Sequence, residues 1–436
     1  MQKKLFWLAA LLALSVVPLR TQDLTGDWQG TLTPRDGAPR RMVLHITRHP
    51  QDDWTAMILS IDRSPDGFGV NDFQFQPPDL KFSVDALHIQ YSGKLTADGT
   101  IIAGTWTDAK PLALDFHHAT KLDAWRDLPY KVSFIPVEEN VRLEVIDWGG
   151  AGRPLVLLAG LGNTAHIFDK FALKLTPNYH VYGITRRGFG ESSVPPATNG
   201  NYAADRLADD VLAVIETLQL NRPVLVGHSI AGEELSSIGS RYPEKVSGLI
   251  YLDAGFSQSF YVASLGDLQI DSNEVVKGLE QLSAHGIAPQ DRKRLVQELL
   301  KTSLPQLQKD LAGQQKELEA IPDLPSGTSI PHRPQGPWSA AAQAILQGER
   351  KYTQIKCPVL LLAAVPHAMG PAGADLAAAQ AKDLAETTAH ADAFEAGVPT
   401  ARVVRMPNAN HFIFLSNESD VLREINAFLA KFPNNE

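Results

Sequence analysis

Residues Pro223–Glu233 read PVLVGHSIAGE, and the predicted fold is built around this segment. A short apolar run rich in β-branched residues leads to Gly227, Ser229 follows two residues later, and the helix-compatible sequence AGEELSSI comes next. This order predicts a strand, a tight turn and a helix. The backbone doubles back on itself at such a turn, so its neighbours must be small, as Gly227 and Ala231 are. The alternative is that the segment is an ordinary strand-to-helix turn without a catalytic role, because short serine motifs also occur by chance.

The chain around this segment alternates between strand and helix patterns, from a hairpin that begins at Tyr130 to a C-terminal helix predicted at 418–431. The predicted inner strands read PLVLLAG, HVYGIT, PVLVGH, GLIYLDA and CPVLLLAA, and a last strand reads ARVVRMP. Strands that are apolar along their whole length are typical of a parallel sheet buried on both faces. We therefore predict a doubly wound, mostly parallel α/β domain over residues 131–436, with a helical insertion at 255–352.

The part of the chain between residues 23 and 120 has a different pattern. Short stretches alternate apolar and polar residues, which predicts half-buried strands. The apolar positions include Met42, Leu44, Ile46, Met57, Leu59 and Ile61. Asp-Gly pairs such as Asp98-Gly99 supply the positive φ angles that tight hairpins require. We predict a small antiparallel barrel or sandwich, followed by a linker at 121–130.

The first 22 residues resemble a targeting segment. Lys3 and Lys4 precede the apolar run Leu5–Val17, which Pro18 closes, and this is the arrangement of a secretory signal. The run is too short to span a bilayer comfortably. Because no A-x-A pattern marks a cleavage site, an uncleaved membrane tether is the alternative. We expect an exported protein, either periplasmic or secreted.

The amino-acid composition argues against one class of partner and indicates a globular protein. The 40 basic and 49 acidic side chains leave a net charge of −9, which repels polyanions and argues against nucleic acid as a partner. The hydrophobic content of 44% is that of a globular protein with a large core. The only cysteine, Cys357, cannot form an intrachain disulfide, and its segment KCPVLLLAA predicts a buried strand position.

Several motifs, taken in chain order, resemble those of the α/β-hydrolase superfamily over about 300 residues. LLAGLGNTAHIFDKF is similar to the family's oxyanion loop, and TRRGFGESS is similar to its D-x-R-G-x-G-x-S segment. GHSIAG is similar to the family's nucleophile elbow, and MPNANHF is similar to its terminal histidine loop. Ala159 stands where the family usually has a histidine, and Thr185-Arg186 replace the usual aspartate region. The segments DLTGDWQGTL and DGTIIAGTWT resemble a small lipocalin-like β-domain that accompanies some exported hydrolases.

Three side chains are the candidates for catalysis. A serine hydroxyl is a poor nucleophile at neutral pH, so Ser229 needs a base and a group that orients that base. The family resemblance places the base last in chain order, where His411 is the one suitable histidine. The carboxylate has two candidates, Asp253 at the end of GLIYLDA and Asp375 after the next strand. We prefer Asp253, because a residue at that strand end shares a sheet edge with Ser229.

The resemblance also implies an oxyanion hole and a lid. Attack by a serine on a carbonyl creates an oxyanion, and the family stabilises it with backbone N–H groups, which here belong to Leu161 and Ile230. An insertion at 255–352 implies a lid over the site. Its aromatic residues could wall an acyl or aryl pocket or fasten the lid to the core. Those aromatic residues are Phe256, Phe260, Tyr261 and Trp338.

The sequence thus predicts an exported serine hydrolase that cleaves small carboxylic esters through an acyl-enzyme. No metal or organic cofactor, nucleic-acid partner or stable membrane span is implied, and the ligand of the β-domain stays open. Relatives with a serine at this position also include thioesterases, peptidases and cofactor-free haloperoxidases, so the leaving group is open as well. The alternative from another class is an inactive binding or scaffold protein, which the altered oxyanion loop favours and the retained serine, acid and histidine oppose.

Overall fold

A computed structural model describes residues 23–33, 40–48, 54–60, 64–85, 89–108, 110–119, 130–198, 200–319, 340–368, 376–407 and 409–432. The predicted signal segment, nearly all of the predicted linker, Asp375 and Trp338 lie outside these residues. The chain divides into two compact units. The second unit contains Thr120–Glu436 together with Arg40–Met42 and Ile58–Gly69, and the first contains the remainder.

The described residues before 120 form one large sheet. Its strands are β1 (Gly26–Leu32), β2 (Arg40–Arg48), β3 (Trp54–Ser60), β4 (Ser64–Gly69), β5 (Asn71–Gln76), β6 (Asp79–Val84), β7 (Ile89–Leu95), β8 (Ile101–Thr107), β9 (Pro111–Ala113) and β10 (Phe116–Ala119). They lie in the order β4-β3-β2-β1-β10-β8-β7-β6-β5, with β9 paired to β8. The pairs from β5 to β8 and the pairs of β10 with β1 and β8 are antiparallel. The prediction of an antiparallel β-rich N-terminal part is therefore confirmed.

One strand of this sheet has the opposite register from the predicted one. In β3 the side chain of Met57 is exposed and that of Ile58 is buried, whereas the alternation of Met57, Leu59 and Ile61 predicted that Met57 would face inward. The reason is that Met57, Ile58 and Leu59 are consecutive apolar residues, so the period of two does not determine which face they bury. In β2 the predicted residues Met42, Leu44 and Ile46 are buried as expected.

The sheet of the second unit has eight described strands. They are β11 (Lys131–Glu138), β12 (Val141–Gly149), β13 (Pro154–Leu158), β14 (His180–Ile184), β15 (Val224–His228), β16 (Gly248–Leu252), β17 (Val359–Ala364) and β18 (Ala401–Met406), in the order β11-β12-β14-β13-β15-β16-β17-β18. The hairpin β11–β12 and the pair β12–β14 are antiparallel, and the other neighbours are parallel. Strands β15, β16 and β17 are buried at every position, which explains why their residues are apolar or glycine with the single exception of His228.

Helices cover both faces of this sheet. They are α1 (Asp169–Leu175), α2 (Ala204–Thr217), α3 (Gly232–Arg241), α4 (Leu268–Ser283), α5 (Pro289–Glu298), α6 (Leu304–Glu319), α7 (Ala340–Gly348), α8 (Leu376–Gly397), α9 (Ile413–Ser416) and α10 (Glu418–Leu429). Apolar side chains of α2, α3 and α8 pack into the core on one face, and those of α1 and α10 pack on the other. The predicted doubly wound α/β fold is confirmed.

The insertion between β16 and β17 is helical, as the sequence predicts. It contains α4 to α7, and a π-helical turn at Leu299–Ser303 joins α5 to α6. Among the described residues, the helices are each too short or too polar to cross a bilayer.

Candidate active site

Ser229 lies at the turn between β15 and α3. Its φ angle of +55° is in the left-handed region, which ordinary residues rarely occupy. A side chain at Gly227 would come within 3.1 Å of the carbonyl oxygen of Ala231, so the chain reverses in a space that admits only a small residue there. The sharp turn predicted at Ser229 is therefore present, with its strain at the candidate nucleophile.

Asp253 occupies the equivalent place on the neighbouring strand. In the parallel pair β15–β16, His228 lies opposite Leu252, so Ser229 and Asp253 both follow directly after paired residues at one edge of the sheet. The φ angle of Asp253 is +46°, also left-handed. Because the two strands end in register, Ser229 and Asp253, which follow them, lie side by side at the carboxyl edge of the sheet.

His411 connects these two residues. It lies in the loop after β18, and its Nε2 is 2.9 Å from Ser229 Oγ, while its Nδ1 is 2.6 Å from Asp253 Oδ2. Both distances are those of hydrogen bonds. The structure thus brings together the three side chains that the sequence singled out. Because the carboxylate accepts a hydrogen bond from Nδ1, the proton of the neutral ring is on Nδ1. The lone pair of Nε2 is then free to accept a proton from the serine hydroxyl.

His228 supports the loop that carries His411. Its buried Nε2 is 3.0 Å from the carbonyl oxygen of His411, and its ring lies 4.8 Å from the ring of Phe412. Burial, together with the nearby His411, lowers the pKa of His228 to about 3, so this ring is neutral at pH 7. A neutral ring can donate Nε2–H to that carbonyl without adding a charge beside the candidate base.

The carboxylate of Asp253 is buried and accepts three hydrogen bonds. Its Oδ1 accepts from the backbone N–H of Ala364 at 2.8 Å, and its Oδ2 is shared by His411 and by His367, whose Nε2 lies 2.7 Å away. Burial raises the pKa of Asp253, but the hydrogen bonds from His367 and His411 outweigh it and hold the pKa below its usual value. Asp253 is therefore ionised at neutral pH.

His367 is a neighbour of the site that the sequence did not single out. It follows β17, and its Nδ1 is 2.8 Å from Asp383 Oδ1 on α8. Donor atoms of Asp253, His367 and His411 lie within 4.8 Å of one another, so these three residues could also hold a metal ion. A histidine after a predicted strand is a weak signal, and its partner Asp383 is 16 residues away in the chain.

The predicted oxyanion loop lies against the turn at Ser229. A Cβ added to Gly160 would lie 2.8 Å from His228 Nδ1 and 3.2 Å from Ser229 Cβ. Leu161 follows Gly160, and Ile230 is in a 3₁₀ turn, Ser229–Ala231, whose first N–H groups have no acceptor within the turn. The structure therefore places the two predicted donor residues beside the candidate nucleophile.

A buried ion pair holds this loop in place. Arg186 donates from Nε and Nη2 to both carboxylate oxygens of Glu234 at 2.6 and 2.9 Å, and Nη2 also donates to the carbonyl oxygen of Ala159 at 3.0 Å. The sequence identified Arg186 only as a departure from the family pattern. Its bond to Ala159 shows what this arginine does: it fixes the chain just before Gly160.

We expect Gly160→Ala to lower kcat/KM by roughly 10- to 100-fold, because the added methyl group must push the loop away from the turn at Ser229. The measurement is steady-state hydrolysis of a short p-nitrophenyl ester. Gly313→Ala on α6 is the matched control, since a Cβ there meets no atom within 4 Å. Equal activity of the two variants would show that the loop position is unimportant.

The three aromatic residues predicted to contact substrate lie in different surroundings. Phe256 is half-buried, and its ring centroid is 6.5 Å from that of His411. Phe260 is buried against Phe394 with ring centroids 5.6 Å apart, and the hydroxyl of buried Tyr261 donates to Asp271. Phe256 is thus the better placed candidate for a substrate contact, and the other two belong to the packing of the insertion.

Helix α7 of the insertion packs against the oxyanion side of the site. Ala341 and Ile345 of this helix form a cluster with Ile230, and Leu161 packs on its edge. Apolar cover of this kind excludes water from hydrogen-bond donors and so strengthens their effect on a developing charge.

Comparison with known proteins places this geometry in a family. The model of the α/β hydrolase fold matches residues 153–418, which include β13, the turn at Ser229 and the loop of His411. The chain is 26% identical over 104 residues to a 2-(acetamidomethylene)succinate hydrolase of Mesorhizobium japonicum, covering 24% of this chain and 36% of that protein. It is 30% identical over 118 residues to a putative carbamate hydrolase of Caulobacter segnis, covering 26% of this chain and 43% of that protein.

These matches span less than half the length of either relative. A solved structure, that of an E-2-(acetamidomethylene)succinate hydrolase, aligns with 69% of this chain and 99% of its own, at 19% identity and a TM-score of 0.41. The family model covers more than half of the chain, and it includes the strand, turn and loop segments described above. This protein therefore belongs to the α/β hydrolase fold family.

Proposed function

We propose that this protein is a serine hydrolase that cleaves carboxylic esters through an acyl-enzyme. The observation that supports the proposal best is the position of the His411 ring, with Nε2 at 2.9 Å from Ser229 Oγ and Nδ1 at 2.6 Å from Asp253 Oδ2. Nucleophile, base and orienting acid are within hydrogen-bond reach of one another, as this chemistry requires.

The proposed reaction begins with attack by Ser229 Oγ on the ester carbonyl carbon while His411 Nε2 takes the hydroxyl proton. The negative charge on the carbonyl oxygen is stabilised by the N–H groups of Leu161 and Ile230. His411 then gives its proton to the leaving alkoxide, and the acyl group stays on Ser229. A water molecule attacks the acyl group with His411 again as base, and the carboxylic acid is released. Asp253 stabilises the imidazolium in each half of the reaction.

The surroundings of the site favour an apolar acyl or aryl group in the substrate. Phe256 lies beside His411, and the cluster of Ile230 with α7 provides apolar cover on the oxyanion side. Burying apolar substrate surface against such side chains contributes about 25 cal/mol per Å². One of the two relatives is a putative carbamate hydrolase, so a carbamate belongs in any substrate survey.

The experiment is a pre-steady-state study of purified protein with p-nitrophenyl acetate, butyrate and octanoate, a thioester and an aryl carbamate. We expect a burst of p-nitrophenol close to one equivalent of enzyme with the esters, because the acyl-enzyme accumulates when deacylation is slower than acylation. A burst with the carbamate alone would mean that the enzyme acts on carbamates and not on carboxylic esters. No turnover of any compound would instead support an inactive binding protein of the same fold.

We also propose that the protein is exported. Support comes from Lys3, Lys4 and the apolar run Leu5–Val17, which have the pattern of a secretory signal.

A further inference from the structure

Thr185 and Arg186, the two residues that replace the family's usual aspartate region, both bind the oxyanion loop at residues 159–165. Arg186 binds the start of this loop, where it donates to the carbonyl oxygen of Ala159 at 3.0 Å. At the other end, the hydroxyl oxygen of Thr185 accepts the backbone N–H of Ala165 at 3.0 Å. Leu161, a candidate oxyanion donor, lies between these two attachment points. The loop is therefore held on both sides of an N–H group that the proposed reaction uses.

The hydroxyl of Thr185 is itself held by a buried carboxylate. It donates to Glu144 Oε2 at 2.6 Å, a distance typical of a hydroxyl bound to an ionised carboxylate. Both residues are buried, Thr185 completely and Glu144 to within 1% of its surface. A hydroxyl has one proton, so when that proton is bound to Glu144, only the lone pairs of the oxygen are left for the N–H of Ala165. The carboxylate therefore fixes the orientation of the Thr185 hydroxyl.

His166 keeps this carboxylate ionised. Its Nε2 lies 3.2 Å from Glu144 Oε1, and its Nδ1 lies 3.2 Å from the hydroxyl oxygen of Tyr130 and 3.5 Å from Asp169 Oδ2. Tyr130 donates its own proton to Asp169 at 2.9 Å, so its oxygen accepts from Nδ1, and the ring has a proton on each nitrogen. Burial lowers the pKa of His166, but the charge of Glu144 and the hydrogen bonds to Asp169 and Glu144 outweigh it and raise this pKa to about 9. Burial likewise raises the pKa of Glu144, but the charged ring and its hydrogen bond outweigh that effect and hold the pKa below its usual value.

The segment between the two attachment points is short and contains a tight turn. The N–H of Asn163 donates to the carbonyl oxygen of Gly160 at 3.2 Å, which closes the turn around Leu161. Gly162 in this turn has a φ angle of +79°, in the left-handed region that glycine tolerates. A shift at Ala165 therefore reaches Leu161 through only four residues of chain.

We propose that Thr185 is a positioning residue for the oxyanion hole, oriented by the buried pair of Glu144 and His166, and that it fixes the Leu161 N–H group through its bond to Ala165. This inference rests on the proposed hydrolase function. An error of about 1 Å in the place of a catalytic group can lower a rate by about 100-fold, so a loop held at one end only is a poorer catalyst than one held at both.

Thr185→Val tests the role of the hydroxyl, because valine keeps the shape of the side chain. We expect it to lower kcat for the best ester of the substrate survey by roughly 10- to 100-fold with little change in KM, since the displaced donor acts mainly on the transition state. Thr185→Ser retains the hydroxyl and should restore most of the wild-type kcat. A raised KM with an unchanged kcat, or a failure of Thr185→Ser to restore kcat, would overturn the positioning role.

Ser236→Ala is the matched control for the kinetics. It also removes a buried hydroxyl, which is 3.0 Å from the hydroxyl of Tyr251, but it is not bonded to the oxyanion loop. It should leave kcat unchanged. An equal loss of kcat in Ser236→Ala and Thr185→Val would show that any lost buried hydrogen bond has this effect, and would overturn the inference.

The anchoring of the loop is tested without turnover. Hydrogen–deuterium exchange resolved to single amides should show slow exchange at Ala165 in the wild-type protein, because its N–H donates to a buried hydroxyl. Thr185→Val should increase the exchange rate there by about tenfold or more, and Thr185→Ser should not. Fast exchange at Ala165 in the wild type, or an unchanged rate in Thr185→Val, would overturn the inference even if the protein hydrolyses esters well. If the wild type turns over no ester, the proposed function fails, and the exchange rates still decide whether Thr185 holds the loop.

Discussion

Ser229→Ala is expected to lower kcat/KM for a short p-nitrophenyl ester by at least about 10⁴-fold, since the variant has no hydroxyl that can form the acyl-enzyme. The folded state should tolerate the change. Ser229 Oγ bonds to His411, which is partly exposed, so the truncation leaves no deeply buried polar atom without access to solvent. Kinetics and thermal unfolding, measured on the same preparations, separate loss of chemistry from loss of fold.

The matched control for this variant is Ser283→Ala, at an exposed position near the end of α4. It should retain the wild-type kcat/KM. If Ser229→Ala retained more than a tenth of the wild-type rate, another group would have to act as the nucleophile, and the proposed reaction would be wrong.

Asp253→Asn should reduce kcat by roughly 10³- to 10⁴-fold, with a smaller change in KM. The side-chain amide can donate to His411 Nδ1, which leaves the proton on Nε2 and prevents that atom from accepting the proton of Ser229. The amide also removes the negative charge that stabilises the imidazolium. Because Asp253 is buried and also bonded to His367, circular dichroism and urea unfolding are needed to show that the variant is folded.

Asp375→Asn is the comparison that decides between the two acids considered from the sequence. It should retain the turnover of the wild type. If Asp375→Asn abolished turnover and Asp253→Asn did not, the assignment of the acid would have to move to the segment after β17.

The parallel sheet and the positions of its strand ends could be predicted from the sequence. Strands buried on both faces are apolar along nearly their whole length, and β15, β16 and β17 have this pattern at every residue except His228. The carboxyl ends of adjacent parallel strands meet at one edge, which is why Ser229 and Asp253 could be paired from the sequence alone. The assignment of His411 as the base depended on the family resemblance as well, because in that family the histidine comes after the serine and the acid in the chain.

The interactions that surround these residues could not be predicted, because they join distant parts of the chain. His367 and Asp383 meet where α8 packs beside the end of β17, and no local pattern marks that contact. The ion pair of Arg186 with Glu234 joins residues 48 positions apart. In β3 the consecutive apolar residues around Met57 left both registers open, since only packing decides which face is buried.

Reaction of the protein with a fluorophosphonate, followed by peptide mass spectrometry, tests the proposed nucleophile most directly. A serine activated by a histidine is phosphonylated, whereas an ordinary serine is inert. We expect one adduct per molecule, on the peptide that contains Ser229, and none in Ser229→Ala. An unlabelled wild-type protein, or equal labelling of Ser229→Ala, would contradict it.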